Sequence, residues 1–259
     1  MTRTLQITRA LMIAGLLETL RRKDLYVVLI LTLVLTLGAS AFRVFGVQGL
    51  EIFVKDVALT AIGVMTTVLT VLIAARQIPD EMQRRTIYPL MARPITRGQL
   101  LLGKWATATI TASLCFVILA LTTLGLLLML GISVKPIFVQ YVILKLLGIG
   151  WLCAMVIALS LYMTPAANVT LSLILAFGSG LFGRLLLMAH WEHDLSALWV
   201  NLLYGALPHY DYFDMSKKVV FDWDLAPWWV FGAMAGYAVL SGGAWLLIGW
   251  LRFRKQTIG

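Results

Sequence analysis

The chain has 259 residues, of which 61% are hydrophobic and only 13% are charged, and its net charge is +9 at neutral pH. Soluble globular domains carry about 25% charged residues, so this composition cannot coat a water-facing surface of that size and argues against a soluble enzyme. The basic residues flank apolar runs instead of clustering on one water-exposed face, which argues against nucleic acid as a partner and predicts an all-α integral membrane protein.

Residues 1–24 are too polar to cross a bilayer, but their apolar side chains can share one helical face, with Arg9, Arg21 and Arg22 largely off it. This pattern predicts an amphipathic helix in the membrane interface, with a frayed tail as the alternative. Arg21-Arg22-Lys23 and the apolar run after it resemble a signal peptide. Because the basic cluster begins late and similar runs recur along the chain, we expect an uncleaved first span.

Six apolar runs are long enough to cross a bilayer, which takes about 20 residues. The charge-free stretch 146–183 is too long for one crossing and is divided at Thr164-Pro165, because proline disfavours helix at the preceding residue. The predicted spans are 25–42, 57–75, 105–131, 138–163, 167–189 and 225–251, which form one transmembrane domain over residues 25–251, followed by a basic tail over residues 252–259.

Six spans place both termini on one side of the membrane. Putting the termini and the connection between spans 2 and 3 inside collects fourteen of the 21 Lys and Arg residues. Because basic residues favour the cytoplasmic side, we predict cytoplasmic termini in a cell inner membrane, with lipid as a partner throughout.

The one sizeable outside segment, residues 190–224, mixes apolar patches with acidic and aromatic residues. It is predicted to be partly helical, dipping into the outer leaflet with tryptophans in the interfacial belt. His190, His193 and Asp194 are close enough in sequence to suggest a metal site, but no further Cys or His completes a shell, and interfacial polar residues are the preferred interpretation.

Lys145 lies within the fourth apolar segment, and a charge inside the membrane is a candidate functional group. The preferred interpretation is that the span begins just after Lys145, so that its ammonium reaches the outer interface. Cys115 and Cys153 lie inside apolar runs and are interpreted as small buried hydrophobic residues.

Gly98 to Lys104 matches the spacing of a phosphate-binding loop, but Trp105 stands where a Ser or Thr should ligate magnesium, and no strand precedes it. We therefore predict no catalytic, cofactor or metal site in this chain. Gly232 and Gly236 form a GxxxG pattern, which allows close helix approach within or between chains.

The connection between spans 2 and 3, residues 76–104, is the most informative stretch. Met82, Thr86 and Leu90 form a stripe at four-residue spacing, with Glu81 and Arg85 beside it, and Pro94 closes the segment. This predicts a short cytoplasmic helix that a soluble partner could hold.

These residues resemble the membrane permeases of ATP-binding-cassette transporters of the type-2 exporter family. The matching positions are an acidic residue, a Thr-Ile pair, a Leu, a Pro-Ile and a Gly-Lys, here Glu81, Thr86-Ile87, Leu90, Pro94-Ile95 and Gly103-Lys104. Arg85 departs from the glycine that often precedes the threonine. Leu207-Pro208 followed by Phe213 resembles a second family pattern in the last outside segment.

The resemblance implies a non-catalytic transporter subunit whose ATP and Mg²⁺ bind in separate ATPase subunits. It implies a second permease copy or a related permease, with Gly232 and Gly236 as candidate packing residues. It implies that the ATPase docks on the N-terminal helix and on the short helix between spans 2 and 3, here called the coupling helix. The docking residues would be Glu81, Arg84, Arg85, Thr86, Leu90, Arg21 and Arg22. Export of a hydrophobic or amphiphilic substrate is the leading hypothesis. The alternative is transmission of ATP-driven shape change to an extracytoplasmic partner protein without transport.

Overall fold

The computed structural model describes residues 30–31, 34, 37–38, 50–79, 96–193, 204 and 207–255. Five long helices contain most of them: α1 (Leu50–Arg76), α2 (Arg97–Met129), α3 (Ile137–Ser160), α4 (Pro165–His193) and α6 (Trp228–Lys255). Between α4 and α6 lie a 3-10 helix, η1 (Tyr210–Phe213), and the short helix α5 (Ser216–Val220). The described chain contains no strand and is all-helical, as the sequence predicts.

Each of the five long helices is long and apolar enough to cross a membrane. They coincide with the second to sixth predicted spans. The first predicted span, 25–42, falls mostly outside the described residues, although Ile30, Leu31, Val34, Leu37 and Gly38 are helical. The predicted N-terminal helix and coupling helix also lie outside the described residues, as do residues 256–259 of the predicted tail.

Two helices begin well before their predicted spans. α1 includes Lys55 and Asp56, which precede the predicted span 57–75. α2 begins at Arg97 because Thr96 Oγ1 accepts a hydrogen bond from the Gln99 N–H at 3.3 Å while the Gln99 side chain accepts one from the Thr96 N–H at 3.0 Å. This reciprocal pair is a capping box, which satisfies backbone groups that a helix start leaves free. The phosphate-loop spacing at 98–104 therefore lies in helical turns.

The break between α3 and α4 falls close to its predicted place. α3 ends at Ser160 and α4 begins at Pro165, where the missing N–H of proline costs nothing because the first helical N–H has no intrahelical acceptor.

The core lies around α3, which packs against α1, α2, α4 and α6. Residues 151–158 of α3 are buried on every side of the helix, which explains why its sequence is a continuous apolar run there. Gly242 and Gly249 of α6 allow the closest approach: a Cβ added at Gly249 would lie 3.2 Å from the Cα of Ala158. Many large apolar side chains are exposed in the described chain, which is the surface that lipid contact requires.

Candidate functional site

After α4 the chain turns back into the helix bundle as the segment from Leu207 to Ala226, here called the re-entrant segment. Its η1 helix has about three residues per turn, so residues three apart share one side. One side carries Tyr210 and Phe213, which are 5% and 0% exposed. Their ring centroids lie 6.2 and 6.0 Å from that of Trp151 in α3.

A second side of the segment faces α6. The His209 ring is stacked on Tyr212, with centroids 4.8 Å apart, and lies 4.3 Å from Tyr204. The His209 N–H donates to Tyr237 Oη of α6 at 3.2 Å. These aromatic contacts fix the rotation of η1 about its own axis.

The third side carries Asp211 and Asp214, which face α4 and α1. Ser179 Oγ of α4 donates to Asp211 Oδ1 at 3.4 Å. Asp211 is exposed and the Asp214 side chain is 37% exposed, so this side of η1 is partly open.

Three glycines, each at or next to the middle of its helix, make room for the re-entrant segment. A Cβ added at Gly148 of α3 would lie 2.6 Å from Phe213 Cβ, and one at Gly180 of α4 would lie 3.2 Å from Asp211 Oδ2. At Gly63 of α1 it would lie 3.7 Å from Asp214 Oδ2. Because all three contacts fall near helix midpoints, η1 reaches the central level of the bundle. Non-helical backbone is tolerated at membrane depth only when protein or a water-filled cavity surrounds it.

A buried charge lies at this central level. Lys145 of α3 is 1% exposed, and its Nζ lies 3.4 Å from Asp214 Oδ2 and 5.1 Å from the centroid of the Tyr210 ring. The Ser216 N–H also donates to Asp214 Oδ1, at 2.8 Å, so an ammonium and an N–H both hold this carboxylate.

Polar contacts nearer the ends of the helices hold the rest of the segment. Lys55 of α1 pairs with Asp222 at 2.7 Å, and its side chain is 3% exposed. Gln140 of α3, 3% exposed, donates to the Ala226 carbonyl at 3.0 Å and accepts from the Ala226 N–H at 2.9 Å. The exposed pair of Lys217 and Asp56, at 2.8 Å, contributes little, because surface ion pairs are worth about 0–1 kcal/mol.

The structure corrects the preferred interpretation of Lys145. Lys145 does not reach the outer interface but lies inside α3, covered by the re-entrant segment. The expectation that this segment lies in the outer leaflet is wrong for residues 207–220, which pack between helices. The leaflet interpretation fits its end better, because Trp223, Trp228 and Trp229 are 57%, 70% and 74% exposed.

The connection between α1 and α2 is held at both of its described ends. On the α1 side Ile78 is 4% exposed. On the α2 side Arg97 Nη1 donates to the carbonyls of Phe253 and Arg254 at 2.8 and 3.1 Å. Arg97 thereby caps the C-terminus of α6, where a cation also complements the helix dipole.

The predicted docking residues lie outside the described residues: Glu81, Arg84, Arg85, Thr86, Leu90, Arg21 and Arg22. The side chains of His190 and His193 and all of Asp194 lie outside them too. Elsewhere in the described chain no group of three or more Cys, His, Asp or Glu residues could hold a metal. Cys115 and Cys153 are free and buried, as predicted.

Gly232 and Gly236 lie on an exposed side of α6, with no heavy atom within 4 Å of an added Cβ. The GxxxG pattern therefore packs on nothing in the described part of this chain. The close approach of α6 to α3 uses Gly242 and Gly249 instead, which the sequence analysis did not single out. Gly180 and Gly183 receive Asp211 and Tyr204, not a neighbouring helix.

One family of known proteins matches the chain. Residues 18–183 match the family model described as ABC-2 family transporter protein. The match covers more than half of the chain and ends within α4, before the re-entrant segment and α6. A search of curated proteins finds no match.

Proposed function

The chain belongs to the ABC-2 family of transporter proteins and is a multi-pass membrane permease of a class that associates with an ABC ATPase; from this premise, we propose that it couples ATP hydrolysis in separate ATPase subunits to export of a hydrophobic or amphiphilic substrate. ATP and Mg²⁺ bind in the ATPase. The chain's own part is mechanical.

The anchoring of the cytoplasmic connection is the observation that carries this proposal. A push on residues 80–95 reaches α1 through the buried Ile78 and α2 through Thr96 and Arg97. Because Arg97 also caps α6, the same push reaches α6, which packs along α3. An ATPase holding this connection would therefore act on four helices at once. A bound partner shifts a conformational equilibrium only through such contacts that differ between two states.

The orientation that this coupling needs is the one with the connection and both termini in the cytoplasm, as the positive-inside rule favours. Gln83→Cys tests it. Cys115 and Cys153 are buried, so labelling by a membrane-impermeant maleimide reports on the new residue. We expect labelling only after cells are permeabilised, and labelling of intact cells would reverse the orientation.

The exposed Gly232 and Gly236 leave room for a second permease against α6. We propose that two permeases and two ATPase subunits form the working assembly. Cross-linking of Gly232→Cys between two differently tagged copies would support this arrangement.

Glu81→Arg tests docking directly. We expect the yield of ATPase that co-purifies in mild detergent to fall while the permease keeps its gel-filtration profile, because the charge on the proposed docking face is reversed. Asp224→Arg is the matched control, since it makes the same charge change between α5 and α6. Equal ATPase yield from wild type and Glu81→Arg would count against docking at this helix.

A further inference from the structure

The open side of η1 carries two carboxylates and only one facing cation among the described residues. Asp211 and Asp214 lie three residues apart on a helix with about three residues per turn, so they project from the same side. Lys145 neutralises Asp214 at 3.4 Å. Among the described residues Asp211 receives only the Ser179 hydroxyl, at 3.4 Å, and it is exposed near the middle of α4.

The other lysines near the re-entrant segment are engaged elsewhere. Lys55 pairs with Asp222, Lys217 pairs with Asp56, and Lys135 donates to the Asp222 carbonyl. The Nζ of Lys218 lies 5.8 Å from the Trp223 ring. Arg184, one turn along α4 from Gly180, forms no ion pair with either aspartate in the described chain. The carboxylate side therefore carries an excess negative charge.

An uncompensated carboxylate is expensive at membrane depth. Acidic residues there face a water-filled cavity or a partner charge, because lipid cannot solvate them. The exposure of Asp211 and Asp214 shows that the open space reaches both side chains. A molecule entering that space meets acceptors, whereas Lys145 lies behind them and is buried.

A buried oxygen next to the pair also has no partner in the described chain. Tyr141 lies one turn before Lys145 on the same face of α3 and is 0% exposed, and its hydroxyl forms no hydrogen bond. It lies close enough to Lys145 and Asp214 to interact with both electrostatically. A buried polar atom left unpaired is unfavourable, so the site has hydrogen-bonding capacity that the chain leaves unused.

The protein's own ammonium shows how a cation fits. Lys145 Nζ contacts the Asp214 carboxylate and also lies over the Tyr210 ring, whose centroid is 5.1 Å away. A carboxylate and an aromatic face are the two features that recognise organic ammonium groups. Lys145 satisfies one of the two carboxylates and leaves Asp211 available.

We propose that the Asp211 and Asp214 side of η1 binds the cationic headgroup of an amphiphile, with the apolar tail along the surrounding helices. This deepens the proposed function and rests on it, because it names the substrate class. The site lies beyond the part of the chain that the family model matches.

The test is equilibrium binding of rhodamine 6G, a cationic fluorescent amphiphile, to the full chain in phosphatidylcholine nanodiscs, measured by anisotropy against empty nanodiscs. We expect Asp211→Asn to weaken binding about tenfold, equivalent to about 1.4 kcal/mol, since asparagine keeps the acceptor for Ser179 but removes the charge. Asp224→Asn, an equal charge change in an exposed residue between α5 and α6, should leave affinity unchanged.

A second variant should change the binding affinity in the opposite direction. Lys145→Met frees Asp214 from its internal partner and should tighten rhodamine 6G binding. Equal affinity for wild type and Asp211→Asn would overturn the proposal even if Lys145→Met fails to fold. If the wild-type chain binds the anionic probe dansyl-undecanoate and Lys145→Met abolishes that binding, the site recognises anions and the proposal is overturned. Because the ATPase takes no part in this assay, a failure here is distinct from a failure of ATPase docking.

Discussion

Among the glycines that face the re-entrant segment, Gly148 leaves the least room for a side chain. In Gly148→Ala the new Cβ would lie 2.6 Å from Phe213 Cβ and 2.9 Å from Phe213 Cγ. Since ordinary contacts begin at 3.4 Å, η1 must withdraw by about 0.8 Å, and rotation of Phe213 gives no relief because its Cβ is fixed to the backbone. Overpacking of this kind costs about 1–3 kcal/mol.

The lost stability can be measured as a fall in the melting temperature, Tm. For a chain of this size about 1 kcal/mol shifts Tm by roughly 2–4 °C, so Gly148→Ala should lower Tm by about 2–12 °C in detergent. Gly125→Ala in α2 is the matched control: it has nothing within 4 Å of the new Cβ and should raise stability by roughly 0.5–1 kcal/mol, as replacing a helical glycine does. A Tm for Gly148→Ala equal to or above that of wild type would refute the docking of Phe213 on α3.

Three further substitutions test the polar contacts of the re-entrant segment. Asp222→Asn should cost about 3 kcal/mol, because it leaves the buried Lys55 ammonium without a charged partner. Asparagine also tolerates the positive φ of 51° at this position, so the backbone need not change. Urea unfolding measures the loss of stability. Gln140→Leu removes both hydrogen bonds to Ala226 and should cost about 2 kcal/mol, which the same titration would show. Asp214→Asn leaves the buried Lys145 ammonium without its carboxylate partner and should cost about 3 kcal/mol, which urea unfolding would also measure.

The helical framework could be predicted from sequence because each span is a long run with few charges. Bilayer thickness and hydropathy alone located five helices to within a few residues, except at the starts of α1 and α2. Those starts were missed because Lys55, Asp56, Arg97 and Lys104 look like boundaries, and their partners, such as Asp222 for Lys55, are distant in sequence.

The re-entrant segment could not be predicted for a related reason. Its acidic and aromatic residues are typical of a water-exposed loop, and its burial depends on Gly148, Gly180 and Gly63, which lie in three different helices. A glycine within a span signals close packing but does not identify the packing partner. The sequence therefore shows no sign of charged groups lining a cavity, whereas the fold brings Asp214 to Lys145 and Asp211 to Ser179 on the same side of η1.

Part of the candidate site was visible in the sequence. Lys145 was recognised as a charge inside an apolar segment, and only the preference for an interfacial position was wrong. The docking residues around Glu81 remain predictions, since they lie outside the described residues.

Purification of the full chain from its own membranes, in mild detergent and with identification of bound proteins by mass spectrometry, tests the central claim most directly. An ATP-binding-cassette ATPase present in amounts equal to the permease, and depleted by Glu81→Arg, is the predicted result. A chain that purifies without any ATPase, in native nanodiscs as well as in detergent, would contradict the assignment of this permease to an ATP-driven transporter.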